Sequence, residues 1–350
     1  MRTRLRTWAA SVGYGLGLTQ AASRAGDQWR LVRGKDGVSI RRRNDDSFLI
    51  LIYHRVAERR PFTLESTAPR AFERQMRYLA GHFRVLPLAE IIERVRSGAP
   101  IPARSLAITF DDGYEDNYTH AFPVLRALGL PATVFLTTGW IDTDEVPWFD
   151  RVLHAFGRST RDSIALPGEP APIPLGDGTV RERLAIRALY ALMRVPDAER
   201  RIAQESLIAE LAPEDRGPSK AMLRWPQIRE MAAAGITFGA HTVTHPILSR
   251  LPEQDARREL ADSKRRIEEE TRSPVTLLAY PVGRRMDYSP AVLELARELG
   301  FTAAVTTTAG LNVRADDLFL LKRIKPLASD VPSFALGLAV QYLTEWSPAA

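Results

Sequence analysis

The chain has 350 residues, of which 45% are hydrophobic and 26% charged, and it contains no cysteine. This composition is typical of a globular protein with one large or two modest domains, and it excludes a disulfide framework and a thiol nucleophile. The net charge of +6 comes from residues 1–43, which hold ten basic and two acidic residues, so the slightly acidic remainder gives no reason to expect a nucleic-acid partner.

Residues 1–43 are the first predicted unit, a basic N-terminal arm. Leu5, Trp8, Val12 and Leu16 fall near helical spacing, which indicates a weak interfacial helix beside charges that attract anionic lipid. A solvated extension is the alternative. The same stretch resembles a signal peptide, although glycines interrupt it. We expect a protein that is cytoplasmic or peripheral at the membrane through residues 1–43, with export as the alternative.

From residue 44 to residue 330 the pattern alternates strand and helix, which is typical of βαβ units and a mainly parallel sheet. The first predicted strand, at 48–52, ends in Tyr53, His54 and Arg55. Helical segments follow at 70–79 and up to residue 96. Polar residues that follow a buried strand are candidates for an active site.

The predicted strand at 106–110 ends in Asp111, Asp112 and Gly113. Two adjacent carboxylates raise the pKa of one of them unless a cation compensates, so the pair indicates a bound cation or a shifted pKa. A polar turn is the alternative, because Asp-Gly is common in turns. A helix near 118–128 and a strand at 132–136 come next.

Residues 147–218 break the alternation. The segment 167–174 is proline-rich, and 181–211 contains long helical stretches. We predict a mostly helical insertion on the rim of the main domain, placed to flank a substrate groove and tune specificity. The alternatives are an independent domain, for which about 70 residues would make a marginal core, and a segment that simply covers the main domain.

The predicted strand at 236–240 is followed by His241 and His245. Histidines four residues apart project from one face if the backbone takes a helical turn, so both can bind one ion. With the carboxylates after another strand, they indicate a His/His/Asp metal site that keeps open coordination positions.

Two further strand-like runs carry polar residues near their ends. Tyr280, Pro281 and Gly283 follow the run at 275–279, and Arg323 lies near the end of the run at 319–324. Chemically capable residues after several separate strands are the mark of a barrel active site. We predict an α/β fold, an irregular (β/α) barrel with mainly parallel strands over 44–330, followed by a C-terminal helix in 331–350.

Two motifs carry a family resemblance. The sequence TFDDG at 109–113 and the sequence HTVTHP at 241–246 resemble motifs of the polysaccharide deacetylases, carbohydrate esterase family 4. The likeness spans 48–324. No histidine follows His245, so the late histidine of the common family pattern is missing. The early His54 is instead similar to the permuted branch that contains the poly-N-acetylglucosamine deacetylases.

The chemistry of amide hydrolysis and the resemblance imply the same roles. Asp112, His241 and His245 would hold one divalent ion, with zinc expected and cobalt, nickel or iron as alternatives. Asp111 would be the base. His54, through the likeness to the permuted branch, would be the acid that protonates the departing amine.

The other candidates concern the substrate. A backbone N–H around Tyr280, in the turn with Pro281 and Gly283, would help to hold the oxyanion. Arg323 would orient the base or contact the glycan, with a structural ion pair as the alternative. Trp225 would stack on a sugar, with packing at a helix start as the alternative.

We therefore expect a metal-dependent hydrolase that removes N-acetyl groups from N-acetylhexosamine units of a glycan or glycan precursor. The alternatives are an amidohydrolase of the same fold acting on small amides, and a catalytically inactive carbohydrate-binding protein. A glycosidase is disfavoured, because adjacent carboxyl groups rarely lie the required distance of about 5 Å or more apart across a sugar.

Overall fold

The computed structural model describes residues 29–34, 37–42, 46–166, 171–215, 217, 222–326 and 328–343. The interfacial helix expected near the amino terminus lies outside these residues. Within the predicted arm, strands β1 (Trp29–Gly34) and β2 (Gly37–Arg42) form an antiparallel hairpin that the sequence analysis did not anticipate.

The central sheet is mainly parallel, as predicted. Its strands are β3 (Ser47–Tyr53), β4 (Arg84–Val85), β5 (Ser105–Phe110), β6 (Thr133–Leu136), β9 (Thr237–Ala240), β10 (Leu277–Ala279), β11 (Ala303–Val305) and β12 (Asn312–Val313), while β7 (Ser163–Ile164) and β8 (Ile173–Pro174) form a separate hairpin. The order across the sheet is β11-β10-β9-β6-β5-β3-β12, with β4 beside β5. Only β12 pairs antiparallel in this sheet of described strands. The predicted α/β barrel of mainly parallel strands is confirmed.

Residues 321–324 join the two sides of the sheet. Leu321 forms a parallel bridge with Val305 of β11, and Ile324 forms one with Leu51 of β3. The sequence predicted a continuous strand at 319–324, and this prediction was wrong in extent. Two amides point elsewhere, because Lys322 N donates to the Asn312 side chain and Arg323 N donates to the Thr308 carbonyl.

Burial on both faces explains the long apolar runs in the sequences of β3 and β5. All residues of both are buried. Along β3, Leu49 and Leu51 pack in the layer between sheet and helices, whereas Phe48 and Ile50 pack in the barrel interior. The alternation that sends neighbouring side chains to opposite faces thus serves two cores at once.

Most helices of the main domain cover the outside of the sheet, whereas the helix at 88–97 packs its buried residues into the cluster of the barrel interior. The helices are α1 (Pro69–His82), α2 (Leu88–Ser97), α3 (Phe122–Leu128), α7 (Trp225–Ala233), α8 (Glu253–Thr271) and α9 (Pro290–Glu298), followed by α10 (Val331–Leu343) in the predicted C-terminal segment. None of the helices in the described part of the chain combines the length and hydropathy that crossing a bilayer requires.

The region predicted as an insertion contains α4 (Trp148–Gly157), α5 (Gly178–Leu192) and α6 (Asp197–Leu211). These helices have a hydrophobic core of their own, which includes Phe156, Leu189 and Leu211. Tyr114 and Trp140, from loops of the barrel, extend into that core. The helices are therefore packed onto the barrel mouth rather than free of it.

Candidate active site

Asp111 and Asp112 follow β5 directly, and both are buried. The chain turns sharply here, because Asp112 has φ 73° and Gly113 has φ 85°. A side chain at Gly113 would not fit, since a Cβ would lie 2.8 Å from Leu136 Cδ2. The turn sends the two neighbouring carboxylates into different surroundings.

Asp111 is paired with Arg323 on the segment that joins β11 and β3. The guanidinium donates to both carboxylate oxygens, with Nη1–Oδ1 at 2.7 Å and Nη2–Oδ2 at 2.6 Å. Burial alone raises the pKa of Asp111, but the charge of Arg323, followed by that of His241, holds this pKa well below its ordinary value. Asp111 is therefore ionised at neutral pH and fixed in orientation. Arg323 is itself buried, so it positions Asp111 and does not face the solvent.

Asp112, His241 and His245 converge at the carboxyl ends of β5 and β9. Asp112 Oδ1 lies 3.5 Å from His241 Nε2 and 3.6 Å from His245 Nε2. One ligand atom from each of the three residues lies within 4.8 Å of the others. The two separations from Asp112 are shorter than two metal–ligand bonds of about 2 Å placed end to end.

The hydrogen bonds around these three side chains fit a bound cation. His241 Nδ1 lies 2.7 Å from Ala279 O, so Nδ1 carries the proton and Nε2 presents a lone pair. Asp112 Oδ1 is buried and has no hydrogen-bond partner among the described residues. Burial lowers the pKa of His245 to about 3, so that imidazole is neutral. A divalent cation would satisfy this set of donor atoms.

The backbone between the histidines is a tight turn, not the helical turn that their spacing suggested. Thr242 and His245 have φ values of 68° and 57°. Thr242 Oγ1 accepts from His245 N at 3.0 Å, and Glu259 of α8 accepts from the amides of Val243 and Thr244 at 2.7 and 2.9 Å. Side-chain acceptors thus shape the loop that presents both imidazoles.

His54 follows β3 and lines the same cavity as Asp111 and the three predicted metal ligands. Its backbone carbonyl accepts from Asn117 Nδ2 at 2.8 Å. Its Nδ1 lies 3.5 Å from Glu65 Oε2, and Glu65 also pairs with Lys325. Glu65 was not predicted as a site residue, because its surroundings in the sequence carry no recognisable motif. A carboxylate facing Nδ1 leaves Nε2 of His54 available to the cavity.

The turn after β10 differs from expectation in the atom that can donate. The side chain of Tyr280 is buried in the core, and its N–H donates to Val305 O at 3.2 Å. Pro281 has no N–H, and Gly283 N donates to Pro281 O at 2.7 Å. Val282 has φ 61° and lines the cavity, and none of the hydrogen bonds of the described residues uses its N–H. The amide of Val282 is thus the candidate for the donor expected near Tyr280.

Trp225 lies at the start of α7, away from the cavity. Its side chain is buried in the hydrophobic core, with the Arg266 guanidinium 5.0 Å from a ring centroid. Of the two roles considered for Trp225, the structure places it in the packing role at a helix start.

The cavity above the metal-site residues has a volume of about 230 Å³ and two unlike walls. The barrel supplies the carboxylates and imidazoles. Helix α5 and the residue after it supply Ile186, Leu189, Tyr190 and Met193. A larger cleft of about 930 Å³ lies beyond Arg55 and is not lined by any of the three predicted metal ligands.

Comparison with known proteins identifies relatives of this chain. A family model described as polysaccharide deacetylase matches residues 98–304, more than half of the chain. The chain is 23% identical over 304 residues to the putative polysaccharide deacetylase YxkH of Bacillus subtilis, covering 83% of this chain and 79% of the relative. It is 34% identical over 110 residues to a poly-beta-1,6-N-acetyl-D-glucosamine N-deacetylase of Staphylococcus epidermidis, covering 27% of this chain and 38% of the relative.

A solved structure shares the fold. The deacetylase PplD of Streptococcus pyogenes, in complex with acetate, superposes with a TM-score of 0.58 and 20% sequence identity. The match covers 86% of this chain and 100% of the other. At this identity the likeness concerns the arrangement of the barrel.

Proposed function

Since the chain belongs to the polysaccharide deacetylase family, we propose that it removes acetyl groups from N-acetylhexosamine units of a glycan with the help of one divalent ion. Family membership makes the protein a hydrolase of the carbon–nitrogen bond in acetylated polysaccharides. The observation that carries the finer proposal is the convergence of Asp112, His241 and His245 beside an Asp111 that Arg323 holds ionised.

Asp112, His241 and His245 would hold the ion, through one carboxylate oxygen and two imidazole nitrogens. This set of donors suits zinc, cobalt, nickel or iron. When bound, such an ion polarises the acetyl carbonyl and lowers the pKa of a water molecule.

Asp111 is the proposed general base. Its carboxylate is ionised and its orientation is fixed by two hydrogen bonds from Arg323. It would take a proton from the water that attacks the acetyl carbon. The fixed orientation matters, because a base that rotates freely spends little time in line with the proton it accepts.

Val282 and His54 are the proposed partners of the two atoms that gain charge. The Val282 N–H would donate to the carbonyl oxygen as it becomes an oxyanion. His54 would donate a proton to the amine nitrogen as the carbon–nitrogen bond breaks, giving acetate and a free amine. Glu65, 3.5 Å from His54 Nδ1, would stabilise the protonated imidazole.

For the substrate, we propose N-acetylglucosamine units of a bacterial-type polymer. The support is the similarity to relatives named for poly-β-1,6-N-acetylglucosamine. The cavity, with one polar and one apolar wall, also supports the proposal, because a sugar ring offers both hydroxyl groups and apolar C–H faces.

The test is a measurement of metal content and of amine release. Purified protein should retain about one divalent ion and release amine from β-1,6-linked N-acetylglucosamine oligomers. A chelator should stop turnover and added zinc should restore it. Metal-loaded protein that hydrolyses small amides but none of the N-acetylglucosamine oligomers would contradict the proposed substrate.

A further inference from the structure

We propose that helix α5 builds a second carbohydrate subsite, in which the ring of Tyr190 stacks on a sugar unit next to the one that is deacetylated. This inference rests on the proposed function, because it concerns the substrate of the same cavity. It assigns a role to the region that interrupts the strand–helix alternation of the sequence.

Tyr190 is a large apolar residue of helix α5 that borders the cavity without being buried in the helical core. Ala188, Leu189 and Leu192 are buried in the core that α4, α5 and α6 share, and Ile186 packs against it. Tyr190 lines the catalytic cavity beside Leu189 and Ile186. An aromatic side chain that the core does not bury, and that borders a cavity with convergent polar groups, is a feature of ligand sites.

Tyr190 lies at the mouth of the cavity. Its side chain is 51% exposed, whereas the neighbouring Leu189 is 3% exposed. Leu189 therefore forms the buried part of this wall, and Tyr190 forms the outer part. A large aromatic ring that stays half exposed beside an active site offers a flat apolar surface to a ligand at modest entropic cost.

The ring of Tyr190 faces a charged group that is itself held in place. The Arg284 guanidinium lies 5.8 Å from the ring centroid, and Arg284 Nη2 lies 3.9 Å from Met193 Sδ. The buried Asp287 accepts from Arg284 Nε at 2.8 Å and from Nη2 at 3.1 Å. A guanidinium fixed in this way limits the motion of the Tyr190 ring. The part of the ring that the guanidinium does not contact is left for a ligand.

The chemistry of the surface selects a pyranose rather than a peptide or a lipid. One C–H face of a pyranose is apolar and packs on an aromatic ring, while its hydroxyl groups can reach the polar wall of the barrel. The cavity has a volume of about 230 Å³ and is lined on the barrel side by carboxylates and imidazoles, surroundings that do not suit a long acyl chain. A glycan that continues past Tyr190 offers both an apolar face to the aromatic ring and hydroxyl groups to the polar wall.

The experiment compares three variants on two substrates. Tyr190→Ala removes the ring, Tyr190→Phe keeps it, and Ile202→Ala is a matched control, because Ile202 is 70% exposed on α6 and does not line the cavity. The substrates are a β-1,6-linked N-acetylglucosamine tetramer and a small activated acetate ester. The readouts are kcat and KM for each.

Tyr190→Ala should lower kcat/KM for the tetramer about tenfold, mainly through KM, and should leave turnover of the ester close to that of the wild type. Tyr190→Phe and Ile202→Ala should behave as the wild type on both substrates. An unchanged KM for the tetramer in Tyr190→Ala, or an equal loss on tetramer and ester, would overturn the subsite. A wild type that cleaves no N-acetylglucosamine oligomer would overturn the proposed function itself, before any variant is compared.

Discussion

Asp111 and Asp112 are consecutive residues with the same side chain, and the folded chain places them in different surroundings. Asp111 has both oxygens occupied by Arg323, while Asp112 Oδ1 faces two imidazole nitrogens. Two buried like charges this close would repel each other strongly if they shared one environment. Arg323 supplies a cationic partner for Asp111, and the proposed ion would supply one for Asp112.

Substitution of the two carboxylates by amides should separate their tasks. Asp111→Asn should keep the metal content near that of the wild type and lower turnover by about 10²–10⁴-fold, since an amide cannot accept a proton. Asp112→Asn should lose metal, because a neutral amide is a weaker ligand. Metal analysis and amine release on the same samples measure both effects. Equal loss of metal in the two variants would show that the roles are misassigned.

Replacement of Arg323 should move the pH dependence of catalysis. In Arg323→Gln the pKa of Asp111 rises, because burial raises it and the largest of the charges that lower it is gone. The acidic limb of the kcat/KM profile should therefore shift to higher pH. The free energy of unfolding should also fall by about 3–5 kcal/mol at neutral pH, since a buried carboxylate loses its partner. Lys322→Gln, next in the chain and partly exposed, is the control and should move neither.

Some of this site was predictable from residue types, and some was not. The TFDDG and HTVTHP motifs carry the candidate ligands because metal binding depends on residue type and spacing. The partner of Asp111 lies 212 positions away, and only the fold brings it near. The free amide of Val282 depends on a positive φ at that residue. A valine in the sequence does not predict a positive φ. Glu65 was missed because its contact with His54 is purely tertiary.

At the scale of elements, α8 holds the loop of the two histidines from outside. Glu259 accepts from two amides of the loop and from Thr244 Oγ1 at 2.7 Å. One carboxylate thereby replaces the hydrogen bonds that a helical turn would have supplied. The conformation of the loop therefore depends on this outer support as well as on its own bond from His245 N to Thr242 Oγ1.

Glu259→Gln should weaken metal binding without removing a ligand. The amide retains one acceptor oxygen but cannot accept from three donors equally, so the loop loosens and metal affinity should fall by about 10–100-fold. Competitive metal titration measures the change. Asp262→Asn, an exposed residue of the same helix, should leave the affinity unchanged. If both variants bind metal like the wild type, Glu259 does not support the site.

Elements were predictable where burial was uniform. The strands β3 and β5 are buried on both faces, and this gives an unmistakable apolar run. The run at 319–324 also begins with apolar residues. The amides of Lys322 and Arg323, however, donate to the Asn312 side chain and the Thr308 carbonyl, so two isolated bridges form in place of a continuous strand. Hydrogen-bond partners outside the local pattern decided the outcome in that segment and in the histidine turn.

At the scale of the whole molecule, an acid lies where the helices α4–α6 meet the barrel. Asp150 of α4 accepts from Tyr114 Oη at 3.0 Å. Burial raises the pKa of Asp150 to about 6, against an ordinary value of 3.8, although Arg55 opposes the rise. The folded protein therefore binds a proton here more tightly than the unfolded chain does.

This acid should make stability fall as the pH rises from about 4 to about 6, since the folded state loses its extra proton in that window. Asp150→Asn has no proton to lose. It should exceed the wild type in free energy of unfolding at pH 7 by at most about 3 kcal/mol, and match it near pH 4. Chemical denaturation of metal-loaded protein at both pH values is the measurement. The exposed Asp162→Asn serves as the control, and a gain that is the same at both pH values would contradict the assignment.

The segment 321–324, which connects β3 and β11, affects how the enzyme loses its activity on partial unfolding. Backbone hydrogen bonds hold residues 321–324 on both sides, including Ile52 N to Ile324 O at 3.0 Å and Thr306 N to Leu321 O at 2.8 Å. Arg323, whose side chain orients Asp111, lies in this same segment, the seam between the two strands. The seam is joined to β3 and β11 by two isolated bridges rather than by a paired strand, which makes it a natural point for partial opening, at a free energy below that of global unfolding.

Opening of the seam would withdraw Arg323 from Asp111 while the other strands stay paired. Catalytic activity should then be lost at a lower denaturant concentration than the helical signal in circular dichroism. The hydrogen of the Ile324 amide should exchange with solvent before those of the β5 amides. The enzyme would thus lose its activity when this seam opens, before the barrel as a whole unfolds.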